Sequence, residues 1–290
     1  MRSFEDITHA YPEIINEVLT CGIETAPRGQ KIKEMLGYQF FLESYEQPSV
    51  LQKSRKLNYK YGIVEGLLNI LGEYPTDIIL KFNKNMENFM NKDTKTWDGA
   101  YAPRLKDALP AIFEELKRDP DSRRAVLPIY ASVDTTRFSS SLDIPCTLTI
   151  QFFIRNGRLD MIVNMRSNDI LWGLANDVPQ FAILGKALAG MLKIPTGFYC
   201  HVAGSMHSYN EREEQLRAVV VADESGTEEY ADFVHPVLNE DLETLRAGIR
   251  NIIEAIRTKE EYRYLYNDVP ACLKPYADLL LGDTKIQYNV

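Results

Sequence analysis

Cysteine is scarce and scattered in this chain. The four residues Cys21, Cys146, Cys200 and Cys272 lie far apart in 290 positions, with no CxxC spacing. That argues against a zinc site and against a disulfide framework, and no metal is expected. Long apolar runs are lacking too, so no segment reaches the roughly 20 residues of a membrane span. The opening Met1-Arg2-Ser3-Phe4-Glu5-Asp6 does not resemble a signal peptide. The cytoplasm is the expected compartment. Excess positive charge is absent: the net charge is −8 and the pI near 5.2. This argues against a nucleic-acid coat or a membrane-surface binder, while leaving room for a local basic pocket. Internal repeats, low-complexity tracts and a clear linker are also missing. With 45% hydrophobic and 26% charged residues, the chain reads as one globular domain able to bury a sizeable core.

Hydrophobic periodicity gives the elements. Residues 5–20 read as a helix, with Ile7, Ala10, Ile14, Ile15 and Val18 on one stripe. Residues 35–42 read as a strand, 58–72 as a helix ending at Gly72, 76–91 as a helix, and 105–117 as a helix stopping before Asp119-Pro120. Residues 124–131 and 146–165 are dense in Val, Ile, Phe and Thr, and Asn156-Gly157 marks a hairpin in the second run. Pro179 is expected to open a helix with the stripe Phe181, Leu184, Leu188 and Met191, placing Asp177 at or near its N-cap. Residues 198–203 read as a strand and 209–219 as a helix. From about residue 237 the pattern Leu242, Leu245, Ile249, Ile252, Ile253, Ile256 predicts a helical appendage. The expected architecture is α+β around a mixed sheet, with residues 1–236 as the catalytic part and 237–290 as a C-terminal extension of the same domain.

Cys146 follows Pro145 at the head of the apolar run 147–154. A thiol in such a place is held in position, and a nearby cation would favour the reactive thiolate. Arg166, at the end of the paired segment 159–166, can supply that cation. Further arginines sit in Asp121-Ser122-Arg123-Arg124 and in the turn-like Ala26-Pro27-Arg28-Gly29. Guanidinium forks suit phosphate oxygens, and a Ser hydroxyl such as Ser167 can complete the cage.

Pro145-Cys146, Arg166-Ser167-Asn168-Asp169, the Asp-Ser-Arg-Arg segment and His207-Ser208-Tyr209 together resemble the thymidylate synthase superfamily in order and spacing. The helix segment Val64-Glu65-Gly66-Leu67-Leu68 resembles that family's His-Glu-Leu-Leu. The resemblance covers roughly residues 20–220, and is most specific over 120–210. It implies a three-layer fold with a central mixed sheet and a homodimer formed through the sheet face. It further implies that Cys146 adds to carbon 6 of a pyrimidine nucleotide, with Glu65 and Tyr101 assisting proton transfer. Arg28, Arg166 and Ser167 would hold the 5′-phosphate, and Arg123 and Arg124 would reach the neighbouring subunit's site. Asn168 would belong to the nucleotide pocket, and His207 and Tyr209 would bind the sugar. Asp169 would face the co-substrate 5,10-methylenetetrahydrofolate.

Asp177 stands where a uracil-reading synthase has Asn, and there the resemblance is to the phage deoxycytidylate hydroxymethylases. An Asn amide matches the donor at nitrogen 3 and the acceptor at oxygen 4 of uracil, whereas a carboxylate accepts from the amino group of cytosine. Asp177 would therefore read dCMP and share a proton with ring nitrogen 3. Thr147 and Met165 replace the His and Gln usual in synthases, which implies that water rather than hydride completes the reaction and yields a hydroxymethyl product. Alternatives are a deoxycytidylate methyltransferase, a hydroxymethylase acting on CMP, and a non-catalytic nucleotide-binding dimer. Trp97 lies too near Tyr101 to be the family's folate-packing Trp, and the end Ile286-Gln287-Tyr288-Asn289-Val290 follows an unfamiliar tail.

Overall fold

The computed structural model describes residues 2–258 and 262–282. Its strands are β1 (Ser3–Phe4), β2 (Ile23–Thr25), β3 (Ile32–Leu42), β4 (Val126–Pro128), β5 (Thr147–Arg155), β6 (Arg158–Met165), β7 (Asn168–Asp169) and β8 (Thr196–Tyr209). Its helices are α1 (Ile7–Cys21), α2 (Tyr59–Leu71), α3 (Thr76–Phe82), α4 (Ala102–Leu105), α5 (Ala108–Arg118), α6 (Ser132–Thr135), α7 (Ala175–Leu192), α8 (Glu213–Glu224), α9 (Leu242–Thr258), α10 (Tyr262–Asn267) and α11 (Lys274–Leu281). No helix among the described residues is long and apolar enough to cross a membrane.

The strands form one mixed sheet in the order β1-β3-β8-β6-β5-β4, with β2 paired to β3 and β7 to β8. Pairing is parallel for β1 with β3, β6 with β8 and β7 with β8, and antiparallel elsewhere. The hairpin of β5 and β6 turns at Asn156 and Gly157, whose φ values of 51° and 71° suit the two left-handed positions of a tight turn. One sheet face carries Phe40, Phe152, Met161, Val163 and Tyr199, all buried in the main core with the apolar stripes of α1, α2 and α7. The opposite face shows Phe41, Phe153, Ile162, Phe198 and Val202, each only partly covered.

Several boundaries differ from the sequence expectation, each for a local reason. Pro179 does not open a helix: α7 starts at Ala175, continuous with a wide π-helical turn over Ile170–Leu174, and Pro179 lies inside it. Asp177 is therefore in the first turn and not an N-cap. The capping role falls to Asp169, whose carboxylate accepts from the N–H groups of Leu171 (3.2 Å) and Trp172 (2.7 Å). The expected helix 76–91 breaks at Asn83, which caps a 3₁₀ segment over Lys84–Phe89. The expected helix 105–117 is two helices, α4 and α5. The expected strand 124–131 shortens to β4, an edge strand. The strand at 198–203 is instead the 14-residue β8, so Tyr209 ends a strand and the following helix starts only at Glu213. Sheet pairing across three neighbours overrides the weak local pattern there.

Helix α9 and the segment before it pack on the preceding part of the chain. Arg246 of α9 donates to the carbonyls of Ile70 (3.1 Å) and Lys106 (2.7 Å). A Cβ on Gly190 of α7 would lie 1.5 Å from the Leu238 carbonyl oxygen, so the chain crosses that helix in direct contact. The terminal residues 286–290 lie outside the described residues.

Candidate active site

Cys146 sits just before β5, where a register irregularity between Thr147 and Thr149 bends the strand. Arg166, leaving β6, clamps that loop. Its backbone N–H donates to the Cys146 carbonyl at 2.8 Å. Its guanidinium donates to the carbonyls of Pro145 and Ile144, both at 2.9 Å, and stands 3.5 Å from the thiol. Arg166 favours the thiolate, as expected from the sequence, and Arg28 does too. Burial nevertheless pushes the thiol above its usual range, reinforced by Asp177 and Asp143. The resting thiol is thus protonated at neutral pH.

Tyr101 lies flat against Phe181 of α7, with ring centroids 6.0 Å apart. Its hydroxyl accepts from the Thr147 N–H at 3.3 Å. Burial, and then the nearby Cys146 and Asp177, hold the phenol in its neutral form. The Thr147 hydroxyl is buried and has no hydrogen-bond partner among the described residues.

Glu65 projects from α2. The hydroxyls of Tyr61 and Tyr74 both donate to its Oε1, at 3.0 and 2.8 Å. Burial nevertheless pushes the carboxyl up to about 7, with Asp143 adding to the rise. Tyr61 is one helical turn before Glu65, a neighbour that helix spacing makes legible. Tyr74 comes from the loop after the helix and is not foreshadowed.

Asp177 is held from two sides. Nδ2 of Asn168, on β7, donates to Oδ2 at 2.6 Å, and Nε2 of Gln180 donates to Oδ1 at 2.7 Å. Gln180 is itself oriented by Asn69 of α2, whose Nδ2 donates to it at 3.1 Å. Burial raises Asp177 to about 8, Glu65 adds to the rise, and the two amides act against it. Asn168 therefore reaches Asp177 directly.

Ser167, His207 and Tyr209 also converge. The Ser167 hydroxyl is 3.4 Å from Nδ1 of His207, and the His207 and Tyr209 rings meet edge to face at 5.4 Å. Burial raises the Tyr209 phenol, while hydrogen bonding from Arg28 works against it. Arg28 itself has φ of 53°, a left-handed conformation unusual for a residue with a side chain. Arg28 is thus brought to the cluster. Arg123 and Arg124 are not: they lie exposed at the entry to the edge strand β4.

Asp143 was missed by the sequence reading. Its Oδ2 accepts from the Gly99 N–H at 2.7 Å, and a Cβ on Gly99 would fall within 2.9 Å of both carboxylate oxygens. Burial raises Asp143 to about 6. The only sequence signal is its position three residues before Cys146. Trp97 is a core residue, donating from its ring nitrogen to the Met86 carbonyl at 2.8 Å and meeting Tyr74 edge to face. The described residues contain no cluster of three or more His, Cys, Asp or Glu able to hold a metal ion.

Cys146 thus lies near Asp177, Asp143, Arg166 and Arg28, and Glu65 lies near Asp177 and Asp143. Residues 9–229 match the thymidylate synthase family. The chain is 31% identical over 218 residues to a deoxyuridylate hydroxymethyltransferase of Bacillus phage SP01, covering 70% of this chain and 57% of that protein. It is 34% identical over 166 residues to a deoxyuridylate hydroxymethyltransferase of Pseudomonas phage M6, covering 54% of this chain and 46% of that protein. The matches thus span about half the length of these relatives. With the family match covering most of its length, the chain belongs to the thymidylate synthase family.

Proposed function

We propose that the protein transfers a one-carbon unit from 5,10-methylenetetrahydrofolate to carbon 5 of dCMP, with addition of water, giving 5-hydroxymethyl-dCMP and tetrahydrofolate. The observation that carries this reading is the enclosed Asp177 carboxyl, fixed by Asn168 and Gln180 close to Cys146. As a carboxylate it accepts from the cytosine amino group. As a carboxylic acid it donates to ring nitrogen 3, which makes carbon 6 more open to attack.

Cys146 forms the bond to carbon 6, and its proton leaves through the neighbouring carboxyls. Glu65, titrating near 7, exchanges protons at the base, and Tyr101 orients the Thr147 peptide beside the thiol. Arg28, Arg166 and Ser167 hold the phosphate, and His207 and Tyr209 the sugar. The folate supplies the one-carbon unit when bound, and Asp169 faces it. Trp172, 51% exposed and donating its backbone N–H to Asp169, presents its ring beside Asp169, with the Arg212 guanidinium 5.8 Å from the ring centroid. The unpartnered Thr147 hydroxyl favours the water route, since it can hydrogen-bond a water molecule beside the reacting base. The partly covered sheet face pairs two subunits, and Arg123 and Arg124 cross to the neighbouring site.

A second reading is dUMP as the substrate. The names of both relatives favour it, and so does the raised Asp177, because a neutral acid presents one acceptor and one donor and can match uracil. Mass spectrometry of products from dCMP, CMP or dUMP with methylenetetrahydrofolate separates these cases. A hydroxymethyl gain on dCMP is the expected outcome. A methyl gain would refute the water route, and turnover of dUMP alone would refute the reading of Asp177.

A further inference from the structure

Behind Asp177 runs a hydrogen-bonded chain that none of the roles above uses. Nε2 of His201, on β8, lies 3.1 Å from Oδ1 of Asn168, and its Nδ1 lies 2.8 Å from the Tyr199 hydroxyl. His201 is fully buried. It stacks on Phe40 at 5.1 Å and on Tyr199 at 5.9 Å. Burial drives its pKa down to about 3, so the ring is neutral at any working pH. A neutral imidazole has one donor and one acceptor. An amide oxygen can only accept, so Nε2 carries the hydrogen and Nδ1 accepts from Tyr199.

The Asn168 amide is oriented to match: its oxygen faces His201 and its NH₂ faces Asp177, where Nδ2 donates at 2.6 Å. The reverse orientation would place two hydrogens against the Nε2–H of His201. The fold also reserves the space, since a Cβ on Gly173 would lie 2.7 Å from Asn168 Nδ2 and 3.1 Å from Asp177 Oδ2.

We propose that His201 is a positioning residue for base recognition: through its Nε2–H it locks Asn168 as a donor to Asp177 and so determines which pyrimidine the carboxyl accepts. Without that lock Asn168 can turn its oxygen toward Asp177. A turned amide accepts from the protonated acid and favours it. The acid's hydrogen then goes to the Asn168 oxygen instead of ring nitrogen 3 of cytosine, so dCMP loses the donor that opens carbon 6 to attack. The inference rests on the proposed role of Asp177 as the base reader. Other ionisable groups face Asp177 as well: Glu65 on α2, Asp169 on β7, Tyr101 ahead of α4, Cys146 ahead of β5 and Tyr199 on β8. The pH dependence must accordingly be read against each wild-type limb.

The test is the ratio of kcat/KM for dCMP over dUMP, measured across pH 6–9 in wild type, His201→Phe, His201→Gln, Gly173→Ala and Asp177→Asn. His201→Phe keeps the stacking but removes the donor. The ratio is expected to fall roughly ten-fold, and the limb governed by Asp177 to move to higher pH. His201→Gln can restore a donor to Asn168 and is expected to recover most of the ratio. Gly173→Ala, which crowds Asn168 from the other side, is expected to mimic His201→Phe and gives the answer should that variant not fold. An unmoved ratio in His201→Phe and Gly173→Ala, with Asp177→Asn shifted, overturns the role of His201 alone. Equal losses in His201→Phe and His201→Gln would mark a packing effect and overturn it too. An unmoved ratio in Asp177→Asn would overturn the base reading itself.

Discussion

Arg166 grips the peptide that carries Cys146. Its N–H holds the Cys146 carbonyl at 2.8 Å, and its side chain holds the two carbonyls before it while standing 3.5 Å from the sulfur. One residue therefore both shapes the nucleophile's loop and opposes the thiol's desolvation. Replacing Arg166 by Lys is not conservative here, because an ammonium cannot reproduce the fork. Arg166→Lys is expected to slow alkylation of Cys146 by iodoacetamide roughly ten-fold at pH 8 and to lower stability by about 1–3 kcal/mol. Unchanged alkylation would refute the electrostatic part.

The base-reading role gives a direct prediction. Asp177→Asn exchanges an acceptor pair for an acceptor and a donor. The preference for dCMP over dUMP is expected to move toward dUMP by at least roughly ten-fold. Steady-state kinetics with both nucleotides checks it.

Three raised carboxyls have a stability consequence. Glu65, Asp177 and Asp143 stand at about 7, 8 and 6 in the folded protein, above ordinary carboxyl values near 4. Through these three groups the folded state binds more protons than the unfolded state between about pH 4 and 8, while His201 and His235, held neutral by burial, oppose this below about pH 6.5. Stability should therefore fall most clearly as pH rises from about 6.5 to 8, the reverse of the usual salt-bridged carboxylate. Denaturant melts from pH 5 to 8.5 should show this slope, and Glu65→Gln should flatten it between about pH 4.5 and 7. A slope identical to wild type would mean Glu65 titrates normally.

Tyr74 tests the same site from its donor. Losing one of two hydroxyls from Glu65 removes a bond that favours the ionised form. Tyr74→Phe is expected to shift the Glu65 limb of the kcat/KM profile to higher pH. A shift to lower pH would contradict the geometry.

The crossing at Gly190 predicts a large stability effect with no catalytic contact. Gly190→Ala should cost about 3 kcal/mol, since the Leu238 carbonyl occupies the methyl's place. Thermal melting measures it, and an unchanged melting temperature would mean that the extension can lift from α7.

The sequence by itself determined much of this protein. Amphipathic periodicity marked α1, α2 and α9, and Asn156-Gly157 marked the hairpin, because these signals depend on local spacing and backbone preference. The motif residues Cys146, Arg166, Ser167, Asp177, His207 and Tyr209 were marked out by a different signal, the family resemblance of the short runs that carry them. The tertiary structure decided what depends on sequence-distant atoms. Only it shows that Asp169 caps the turn ahead of α7, that Tyr74 joins Tyr61 on Glu65, and that Gly99 admits the Asp143 carboxylate. Only it shows the line from Tyr199 through His201 and Asn168 to Asp177, which spans two strands and a helix. Burial sets the protonation of these groups, and burial is a property of the packed sheet and helices together, which no local pattern carries.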